Sequence, residues 1–357
     1  MSEESDRLRK MYITRLEEDF PKTYKVSWGS MKVEFVKSHL KLRYGTNPHQ
    51  RAALYAAKGS LWEEAELLKT GKSGLSQTNV EDVDRALRIL RYFDESACAV
   101  MKHLVPSGLA SGRDSLREIY IRARDCDSQA AFGSVVVFNC DVDETTAEEV
   151  VSTYVEVVAA TGYEENTLSI FERKKNMRII QYQGSIFRGI SRFEGDPLFL
   201  ETGSLLDGSL IISDPFLTKV RNERDLILVT EKESTYKELQ DLLFAWYVCS
   251  GTRSNGVVVA RDKCTISVAG GQQDRVTAVK LALDKACDRG HRKDLDGSVL
   301  ASDGFFPFRD SIDLIAEYGI SAVVQPGGSI RDKEVIEACD EQGIAMVFTG
   351  ERCFAHF

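Results

Sequence analysis

The sequence predicts an α/β fold built from two domains. Short apolar runs rich in valine and isoleucine alternate along the chain with longer segments of helical periodicity, a pattern typical of sheets covered by helices on both faces. The length of 357 residues exceeds what one hydrophobic core usually supports, so two cores are expected. The composition agrees, because 43% apolar and 28% charged residues are typical of a folded globular protein.

Four segments are expected in chain order: a charged helical arm, a first domain, a connector and a second domain. The connector carries several glycines and prolines and little periodicity. The predicted bounds are 1–30, 31–190, 191–240 and 241–357. The two predicted domains do not repeat each other in sequence.

The first domain is expected to open with LRYGTNPHQ at 42–50, where Gly45 and Pro48 interrupt regular structure. A helix is then expected over 79–93. Asn79 suits its N-cap, because the side chain can accept from a free backbone N–H, and an apolar stripe follows at helical spacing.

Two strands and a second helix complete the first domain. ACAVMKHLVPSG is a short apolar run that predicts a buried strand stopped by Pro106 and Gly108. FGSVVVFN at 132–139 has the same character and predicts another strand. TTAEEVVSTYVEVV at 145–158 predicts a helix, because threonine followed by glutamates is a helix start signal.

The second domain alternates in the same way. A helix should be followed by two strands joined by a polar turn at Asp262 and Lys263, and then by helix, strand, helix and strand. The segments are ELQDLLFAWYVC (238–249), SNGVVVARD, TISVAGG, RVTAVKLALDKACDRG, SAVVQPGG, DKEVIEACDEQG and IAMVFTG.

Charge and hydropathy exclude several classes of protein. The net charge of −9 argues against a broad nucleic-acid surface. No apolar run is long enough to span a membrane, and the polar start MSEESDRLRK lacks the apolar core of a signal peptide. We therefore expect a cytoplasmic protein that binds neither nucleic acid nor membrane.

Cysteine, histidine and glycine patterns argue against three kinds of site. Eight cysteines occur without a C-x-x-C pair and five histidines lack ligand spacing, so no zinc site is expected. TGKSG at 70–74 is similar to the end of a phosphate loop, but Glu66 stands where that loop requires glycine. No G-x-G-x-x-G follows a strand, so a dinucleotide fold is not supported.

Lys102 and His103 form the most informative pair. Adjacent strand residues point to opposite faces, so both can serve one site only where the strand ends. Pro106 and Gly108 are expected to supply that end, and open α/β sheets bind ligands at the carboxyl ends of strands. A histidine exchanges protons near neutrality and a lysine adds a fixed cation. A surface Lys-His pair in a loop is the alternative.

Three further clusters each allow two interpretations. SDGFFPFRDSID at 302–313 has aromatics that could stack on a flat heteroaromatic ligand and a carboxylate for its N–H groups, or it is a core corner with a surface salt bridge. QPGGSIRD at 325–332 could hold an anion or be a tight turn. In the tail TGERCFAHF, Arg352, Phe354 and His356 lie two residues apart; tails are usually frayed, but this one is expected to contribute to the site.

Taken together, these segments resemble the AICAR transformylase half of the bifunctional purine-biosynthesis enzyme. The resemblance runs from about Leu42 to the end of the chain, in the family's order. The matching segments are LRYGTNPHQ, KHLVPSG, AFGSVVVFN, KKN at 174–176, DLLFAW, RSNG, GGQQDR, ASDGFFPFRD and QPGGSIRDKEVIEACDEQGIAMVFTGER.

The resemblance implies two cytidine-deaminase-like, three-layer domains without that fold's zinc, and a homodimer with active sites between subunits. It implies that the 5-amino group of AICAR receives a formyl group from the cosubstrate 10-formyltetrahydrofolate, giving FAICAR and tetrahydrofolate. The family's usual polypeptide begins with a cyclohydrolase domain, whereas only a short arm precedes the motifs here. We therefore expect another protein to close the ring to IMP.

The chemistry explains the residue types at the matched positions. AICAR's amine is a poor nucleophile, so attack on the formyl carbon needs proton removal and stabilisation of an oxyanion. By resemblance, His103 assists loss of the amine proton, Lys102 supplies the positive charge and the proton on the oxyanion and leaving-nitrogen side, and Asn255 orients the formyl oxygen.

The same matches imply the binding residues. Those for the nucleotide and its phosphate are Arg43, Tyr44, Lys175 and Arg352. Those framing the base and ribose are Gly133, Glu156, Phe305 and Phe354. Those for the folate are Phe132, Arg275, Pro307 and Asp310, with Asp310 accepting from the pterin ring.

The chain departs from the family pattern at several positions, but none removes a proposed catalytic group. The departures are Leu104, Val105, Ser107, Thr161, Ser250, Ala355 and His356. They leave a monovalent-cation site as an open alternative. Formylation of AICAR from another donor, such as formate activated by ATP, also stays open, although the missing phosphate loop argues against it. A catalytically silent nucleotide-binding homologue is disfavoured by the joint presence of Lys102, His103, Asn255 and Asp310.

Overall fold

The computed structural model describes residues 3–11, 14–71 and 73–357 of the chain. The chain divides into two compact units, Met1–Arg188 and Gly189–Phe357. Both units contain β-sheets with helices packed against them, so the predicted α/β class is confirmed. The segment 191–240, which we expected to be a connector, belongs to the second compact unit.

A helix and a small antiparallel sheet open the first unit. They are α1 (Glu3–Met11), β1 (Thr23–Trp28), β2 (Met31–Lys37) and β3 (Tyr55–Ala57). The helical arm predicted over 1–30 is therefore wrong from Thr14 onward, because residues 14–22 form no helix and Thr23–Trp28 is a strand. TYKVSW is rich in aromatic and β-branched residues, and it pairs with β2 across a turn at Gly29. Residues 1, 2, 12 and 13 of the predicted arm lie outside the described residues.

The main sheet of the first unit has six strands. In chain order the elements are α2 (Leu61–Glu64), β4 (Glu66–Lys69), α3 (Gln77–Leu90), β5 (Ser96–Lys102), β6 (Val105–Gly112), α4 (Leu116–Asp125), α5 (Ser128–Ala131), β7 (Ser134–Phe138), α6 (Glu144–Ser152), β8 (Val155–Ala160), α7 (Thr167–Glu172), β9 (Arg178–Gln181) and α8 (Gly184–Arg188). Their spatial order is β6-β5-β7-β8-β9-β4. Strands β7, β8 and β9 are parallel, whereas β5 is antiparallel to β6 and β7, and β4 is antiparallel to β9.

The second unit has a two-stranded hairpin and a main sheet of six strands. In chain order the elements are β10 (Glu201–Ser204), β11 (Leu210–Ser213), a 3-10 helix (Glu223–Asp225), β12 (Ile227–Leu228), α9 (Tyr236–Ser250), β13 (Val257–Arg261), β14 (Cys264–Ala269), α10 (Arg275–Asp288), β15 (Val299–Ser302), α11 (Asp310–Ala316), β16 (Ala322–Gln325), α12 (Asp332–Gln342) and β17 (Ala345–Phe348). The main sheet has the order β14-β13-β15-β16-β17-β12.

The two main sheets have the same topology. Each begins with an edge strand and a long helix, continues with an antiparallel hairpin, and ends with three parallel strands joined by helices. In each sheet the edge strand is antiparallel to the last parallel strand. The chain is therefore a structural duplication that its sequence does not reveal.

The central strands of both sheets are buried along their whole length and mostly apolar. Strands β7 (SVVVF), β15 (VLAS) and β16 (AVVQ) are buried at every position. Strands covered on both faces have no reason to alternate apolar and polar residues, which explains the unbroken valine runs of the sequence. Within the described residues, no helix is both long and apolar enough to cross a bilayer.

The first long helix begins earlier than predicted. Ser76, and not Asn79, is the N-cap of α3: its hydroxyl accepts from the Asn79 N–H, and the Asn79 side chain accepts in return from the Ser76 N–H. This reciprocal capping box places Asn79 inside the helix, where its Nδ2 lies 3.5 Å from Glu156 Oε2.

The predicted helix over 145–158 is two elements. Helix α6 ends at Ser152, and Val155–Ala160 forms β8, which pairs in parallel with β7. The valines of β8 are buried and β-branched, so they favour the sheet over a continued helix. Glu156 therefore projects from a strand.

Candidate active site

A two-residue turn separates β5 from β6. Lys102 pairs with Val105, and between them His103 and Leu104 have φ angles of 53° and 71°. Positive φ at both central positions is the geometry of a type I′ hairpin turn. The strand carrying Lys102 thus ends as predicted, but a hairpin ends it.

Pro106 and Gly108 do not stop the strand, contrary to prediction, because both lie inside β6. Pro106 is opposite Met101, beside a bulge where a missing N–H is tolerated. A Cβ atom on Gly108 would lie 2.0 Å from the carbonyl oxygen of Ala123 in α4. This glycine therefore allows helix and strand to approach closely.

Lys102 is held in place by two carbonyl groups. Its Nζ donates to the oxygens of Phe132, at 2.9 Å, and Gly133, at 3.0 Å. Gly133 has a φ of 72°, and a Cβ there would lie 3.2 Å from Lys102 Nζ. The turn before β7 thus fixes the ammonium group and requires glycine beside it.

His103 is exposed at the tip of the turn, and the structure gives its imidazole no hydrogen-bond partner among the described residues. The turn itself is anchored from below by Asp82 of α3. The Asp82 side chain is buried, and its Oδ1 accepts from the Leu104 N–H at 2.6 Å. Burial raises the pKa of Asp82 to about 6.

The site residues of the first unit collect at one edge of its sheet. Because β5 is antiparallel to β7, the carboxyl end of β5 lies beside the amino ends of β7 and β8. Gly133, Glu156 and Lys175 lie at the amino ends of β7, β8 and β9. Lys102 and His103 thus lie at the carboxyl end of β5, as expected, whereas Gly133, Glu156 and Lys175 lie at the amino ends of the parallel strands on the same side of the sheet.

Buried cations lie near this edge. Arg43 is 5% exposed, and its guanidinium group lies 4.8 Å from the centre of the Tyr44 ring. Burial lowers the pKa of Arg43, and the neighbouring Arg178 guanidinium lowers it further, while Glu156 opposes the shift. Arg178 is equally buried, with its Nη1 3.8 Å from Glu156 Oε2. Two guanidinium groups near one carboxylate leave excess positive charge for an anionic ligand.

The remaining predicted residues of this unit are on the surface. Phe132 is 66% exposed, and its ring centre lies 5.1 Å from that of Tyr154. Lys175 is exposed in the turn before β9.

Asn255 lies two residues before β13 in the second unit and is held by a polar cluster. Its Nδ2 donates to the Gln272 carbonyl oxygen at 2.9 Å. The fully buried Asp303 accepts from Ser254 Oγ, from the Gly256 N–H at 2.9 Å and from Arg275 Nη1. Asp303 therefore forms hydrogen bonds with the residues on both sides of Asn255.

Arg275, the first residue of α10, is predicted to bind folate but is only 7% exposed. Its Nη1 forms the ion pair with Asp303 and also lies 3.3 Å from the Gly256 oxygen. A Cβ on Gly304 would lie 2.5 Å from Arg275 Nη2 and 2.7 Å from the Phe354 ring. Arg275, Gly304 and Phe354 are thus tightly packed.

The aromatic segment after β15 divides between core and surface. Phe306 is fully buried, whereas Phe305 and Phe308 are 44% and 48% exposed, and Pro307 is half-buried. Of the aromatics that could stack on a ligand, only Phe305 and Phe308 are therefore accessible.

The charged end of this segment forms ion pairs through Arg309. Arg309 does not pair with its neighbour Asp310 but with Asp313 and Glu341. The Oδ1 of the exposed Asp310 accepts from the Ser311 N–H at 2.7 Å.

The tail is held beside Asn255. Ala355 forms a β-bridge with Arg253, and its carbonyl oxygen accepts from the Ser254 N–H at 3.0 Å. The Cys353 N–H donates to the backbone carbonyl oxygen of Asp303 at 3.1 Å. Outside this anchor, the Arg352 guanidinium lies 4.7 Å from the centre of the Phe354 ring. These bonds hold the tail in place, and its expected contribution to the site stays a prediction.

The QPGG segment is a tight turn. The carboxylate of Asp332 accepts from the N–H groups of Gly328, at 2.7 Å, and Ser329, at 3.1 Å. The protein's own anion therefore occupies the donors that an external anion would need.

In the second unit, site residues follow the carboxyl ends of parallel strands. Phe305 and Pro307 follow β15, and Arg352 and Phe354 follow β17. These predicted site residues therefore lie where open α/β sheets usually bind their ligands.

The sequence alone does not mark four residues of these clusters as site residues: Asp82, Tyr154, Arg178 and Asp303. The burial of Asp82 could have been predicted from the sequence, because it lies four residues before Ala86 and seven before Ile89 and so shares the buried face of α3. No group of three or more His, Cys, Asp or Glu side chains within residues 3–11, 14–71 and 73–357 could hold a metal ion. Lys72 of the TGKSG segment lies outside these ranges.

Comparisons with known proteins point in one direction. A family model described as AICARFT/IMPCHase bienzyme matches residues 4–285. Proteins named "Bifunctional purine biosynthesis protein PurH" are similar. That of Aquifex aeolicus (strain VF5) is 42% identical, over 94% of this chain and 63% of its own length. That of Clostridium botulinum (strain Okra / Type B1) is 38% identical, over 96% and 62%. That of Clostridium perfringens (strain 13 / Type A) is 40% identical, over 95% and 62%. The chain thus spans less than two thirds of these relatives.

Proposed function

The chain belongs to the AICARFT/IMPCHase bienzyme family, and we propose that it transfers the formyl group of 10-formyltetrahydrofolate to the 5-amino group of AICAR in purine biosynthesis. The products are FAICAR and tetrahydrofolate. The observation that carries the proposal is the β5–β6 turn, where a lysine fixed by two carbonyl groups adjoins an exposed histidine.

The reaction needs a base, an oxyanion partner and a proton for the leaving group. The amine of AICAR attacks the formyl carbon, and the His103 imidazole takes the proton that the nitrogen loses. The Lys102 ammonium, already positioned by two hydrogen bonds, stabilises the negative oxygen of the tetrahedral intermediate. The bond from carbon to N10 of the folate then breaks, and N10 takes a proton from the Lys102 ammonium to give tetrahydrofolate. The proton that His103 took from the amine then restores the ammonium.

The surroundings of the turn suit a nucleotide monophosphate. Arg43 and Arg178 are buried cations, and Lys175 is an exposed one, whereas Glu156 is the carboxylate close to Arg178. This local excess of positive charge is opposite to the net charge of −9 for the chain, and it would attract a phosphate dianion.

The second unit offers the residues suited to a folate. Phe305, Pro307 and Phe354 expose apolar surface that could stack on the pterin, and Asp310 keeps carboxylate lone pairs for ring N–H groups. One N–H of the Asn255 side-chain amide donates to the Gln272 carbonyl oxygen. The second N–H can donate to the formyl oxygen.

We also propose a homodimer with active sites between subunits, as expected from the family. The β10–β11 hairpin supports association of two copies, because Leu205, Leu206, Leu210 and Ile211 are all at least half exposed on it. Exposed apolar clusters of this kind mark interaction surfaces in soluble proteins.

The test is an assay of tetrahydrofolate formation by the purified chain. We expect product from 10-formyltetrahydrofolate only when AICAR is present, with FAICAR formed in equal amount. Product from formate and ATP without the folate would favour the alternative donor. Binding of AICAR without turnover from either donor would favour a catalytically silent homologue.

A further inference from the structure

The turn that carries His103 has a sequence poorly suited to its geometry. Type I′ turns favour Asn-Gly or Asp-Gly, because both central residues need positive φ, yet here they are histidine and leucine. A branched side chain such as that of Leu104 at a φ of 71° is disfavoured on steric grounds. The conformation therefore needs support from outside the hairpin.

Asp82 supplies that support. Its side chain is buried with 8% of the residue exposed, and Oδ1 accepts from the Leu104 N–H at 2.6 Å. A carboxylate bonded to a backbone N–H in a buried setting forms a strong, charge-assisted hydrogen bond. The bond joins α3 directly to the position next to His103.

The second unit contains an equivalent turn bonded to a buried aspartate, but this turn carries no lysine followed by a histidine. Asp241 of α9, 4% exposed, accepts from the N–H groups of Asp262, at 2.9 Å, and Lys263, at 2.7 Å, which form the turn between β13 and β14. Their φ angles are 54° and 51°. Asp241 precedes Lys263 by 22 residues, as Asp82 precedes Leu104.

The correspondence extends to the residue before each turn. Arg261 Nη1 donates to the Asp296 oxygen at 3.1 Å, just as Lys102 Nζ donates to Phe132 and Gly133 ahead of the next strand. The anchored turn is thus part of the duplicated scaffold, and only the first copy carries a lysine followed by a histidine.

We propose that Asp82 is a positioning residue for formyl transfer: its buried carboxylate fixes the turn and thereby sets where the His103 imidazole lies relative to the Lys102 ammonium. This inference rests on the proposed function. Asp241 then gives a matched control, because it makes the same kind of bond to a turn that lacks the catalytic side chains.

The experiment compares Asp82→Ala, Asp82→Asn, Asp241→Ala and Asp241→Asn. We expect Asp82→Ala to lower kcat roughly tenfold to a hundredfold, the loss typical of a small misplacement of a reacting group, while the KM for AICAR changes less than about threefold. Asp82→Asn keeps an oxygen acceptor and should retain most of the activity. Both Asp241 variants should keep kcat within about twofold of wild type.

Three results would overturn the proposal: a kcat for Asp82→Ala equal to that of wild type, an equal loss in Asp82→Ala and Asp241→Ala, or an Asp82→Asn variant as impaired as the alanine variant. Amide hydrogen exchange at Leu104 provides a readout independent of turnover, and it should accelerate in Asp82→Ala but not in Asp241→Ala. A wild-type chain inactive in the folate assay would remove the proposed function, and the exchange result would still decide whether Asp82 anchors the turn.

Discussion

Lys102 and His103 are adjacent in sequence but have different surroundings. Two of the three donors of the Lys102 ammonium bond to Phe132 and Gly133, so its position is set by the backbone of another turn. His103 projects from the hairpin tip and is exposed, which leaves its ring nitrogens open to a substrate. A fixed cation beside an accessible base is the arrangement that formyl transfer to a weak amine requires.

The buried carboxyl of Asp82 makes stability depend on pH. Burial raises its pKa from 3.8 to about 6, Glu81 and Glu156 add to the rise, and the Leu104 N–H and Lys102 oppose it. The folded state therefore binds this proton more tightly than the unfolded chain. The carboxyl stabilises the fold fully below pH 3.8, and that contribution is lost as the pH rises through 6.

The Asp82→Asn side chain cannot ionise. We therefore expect the free energy of unfolding of this variant, relative to that of wild type, to increase by on the order of 2–3 kcal/mol when the pH is raised from about 4 to about 7. Urea unfolding of both proteins at the two pH values measures the change. A difference in the free energy of unfolding that stays constant with pH would contradict the assignment.

Two hairpins carry the residues on which the proposed catalysis and the proposed dimer depend. The β5–β6 hairpin carries the proposed catalytic pair, and the β10–β11 hairpin carries exposed leucines, of which Leu206 is fully accessible. Neither was evident from the sequence. His-Leu is not a recognised turn signal, and the strand pattern at 96–112 continues through it without a glycine or asparagine at the tip.

The β10–β11 hairpin should contribute to the proposed dimer. We expect the wild-type chain to elute with a mass near twice the 39.9 kDa of one chain, and Leu206→Asp to shift it toward the monomer by burying a charge in the contact. Light scattering after size-exclusion chromatography measures both masses. Leu168→Asp, at a similarly apolar but separate exposed position on α7, is the control and should remain dimeric. If Leu206→Asp leaves the mass unchanged, the hairpin lies outside the contact.

Helices and central strands were predictable because one physical signal dominates each of them. The valine runs of β7 and β13 and the long helix α9 occur where the sequence places them. The sequence predicts a helix at Glu156, because no residue in the valine-rich run after the helix start signals a boundary between helix and strand. Only the pairing of this segment with β7 shows that it is a strand. Asp303 was missed because its partners, Ser254 and Arg275, are distant in sequence.

At the scale of the whole molecule, two copies of one topology carry different sets of proposed site residues. The first unit places its proposed nucleotide and catalytic residues at the hairpin-turn edge of its sheet, and the second places Asn255 and the aromatic residues at the opposite edge, near the carboxyl ends of its parallel strands. The identical 22-residue spacing from helix aspartate to turn survives in both copies. The side chains on the turn have diverged, so the duplication is visible only in the fold.

This duplication supplies the most direct test of the central claim, that the first turn performs proton transfer to complete formylation of AICAR. His103 and Asp262 occupy equivalent positions in the two turns, so the kcat values of His103→Ala and Asp262→Ala can be compared in the folate assay, with AICAR affinity measured by calorimetry. We predict that His103→Ala loses roughly a hundredfold or more in kcat while still binding AICAR, and that Asp262→Ala turns over like wild type. Normal turnover by His103→Ala would contradict the claim.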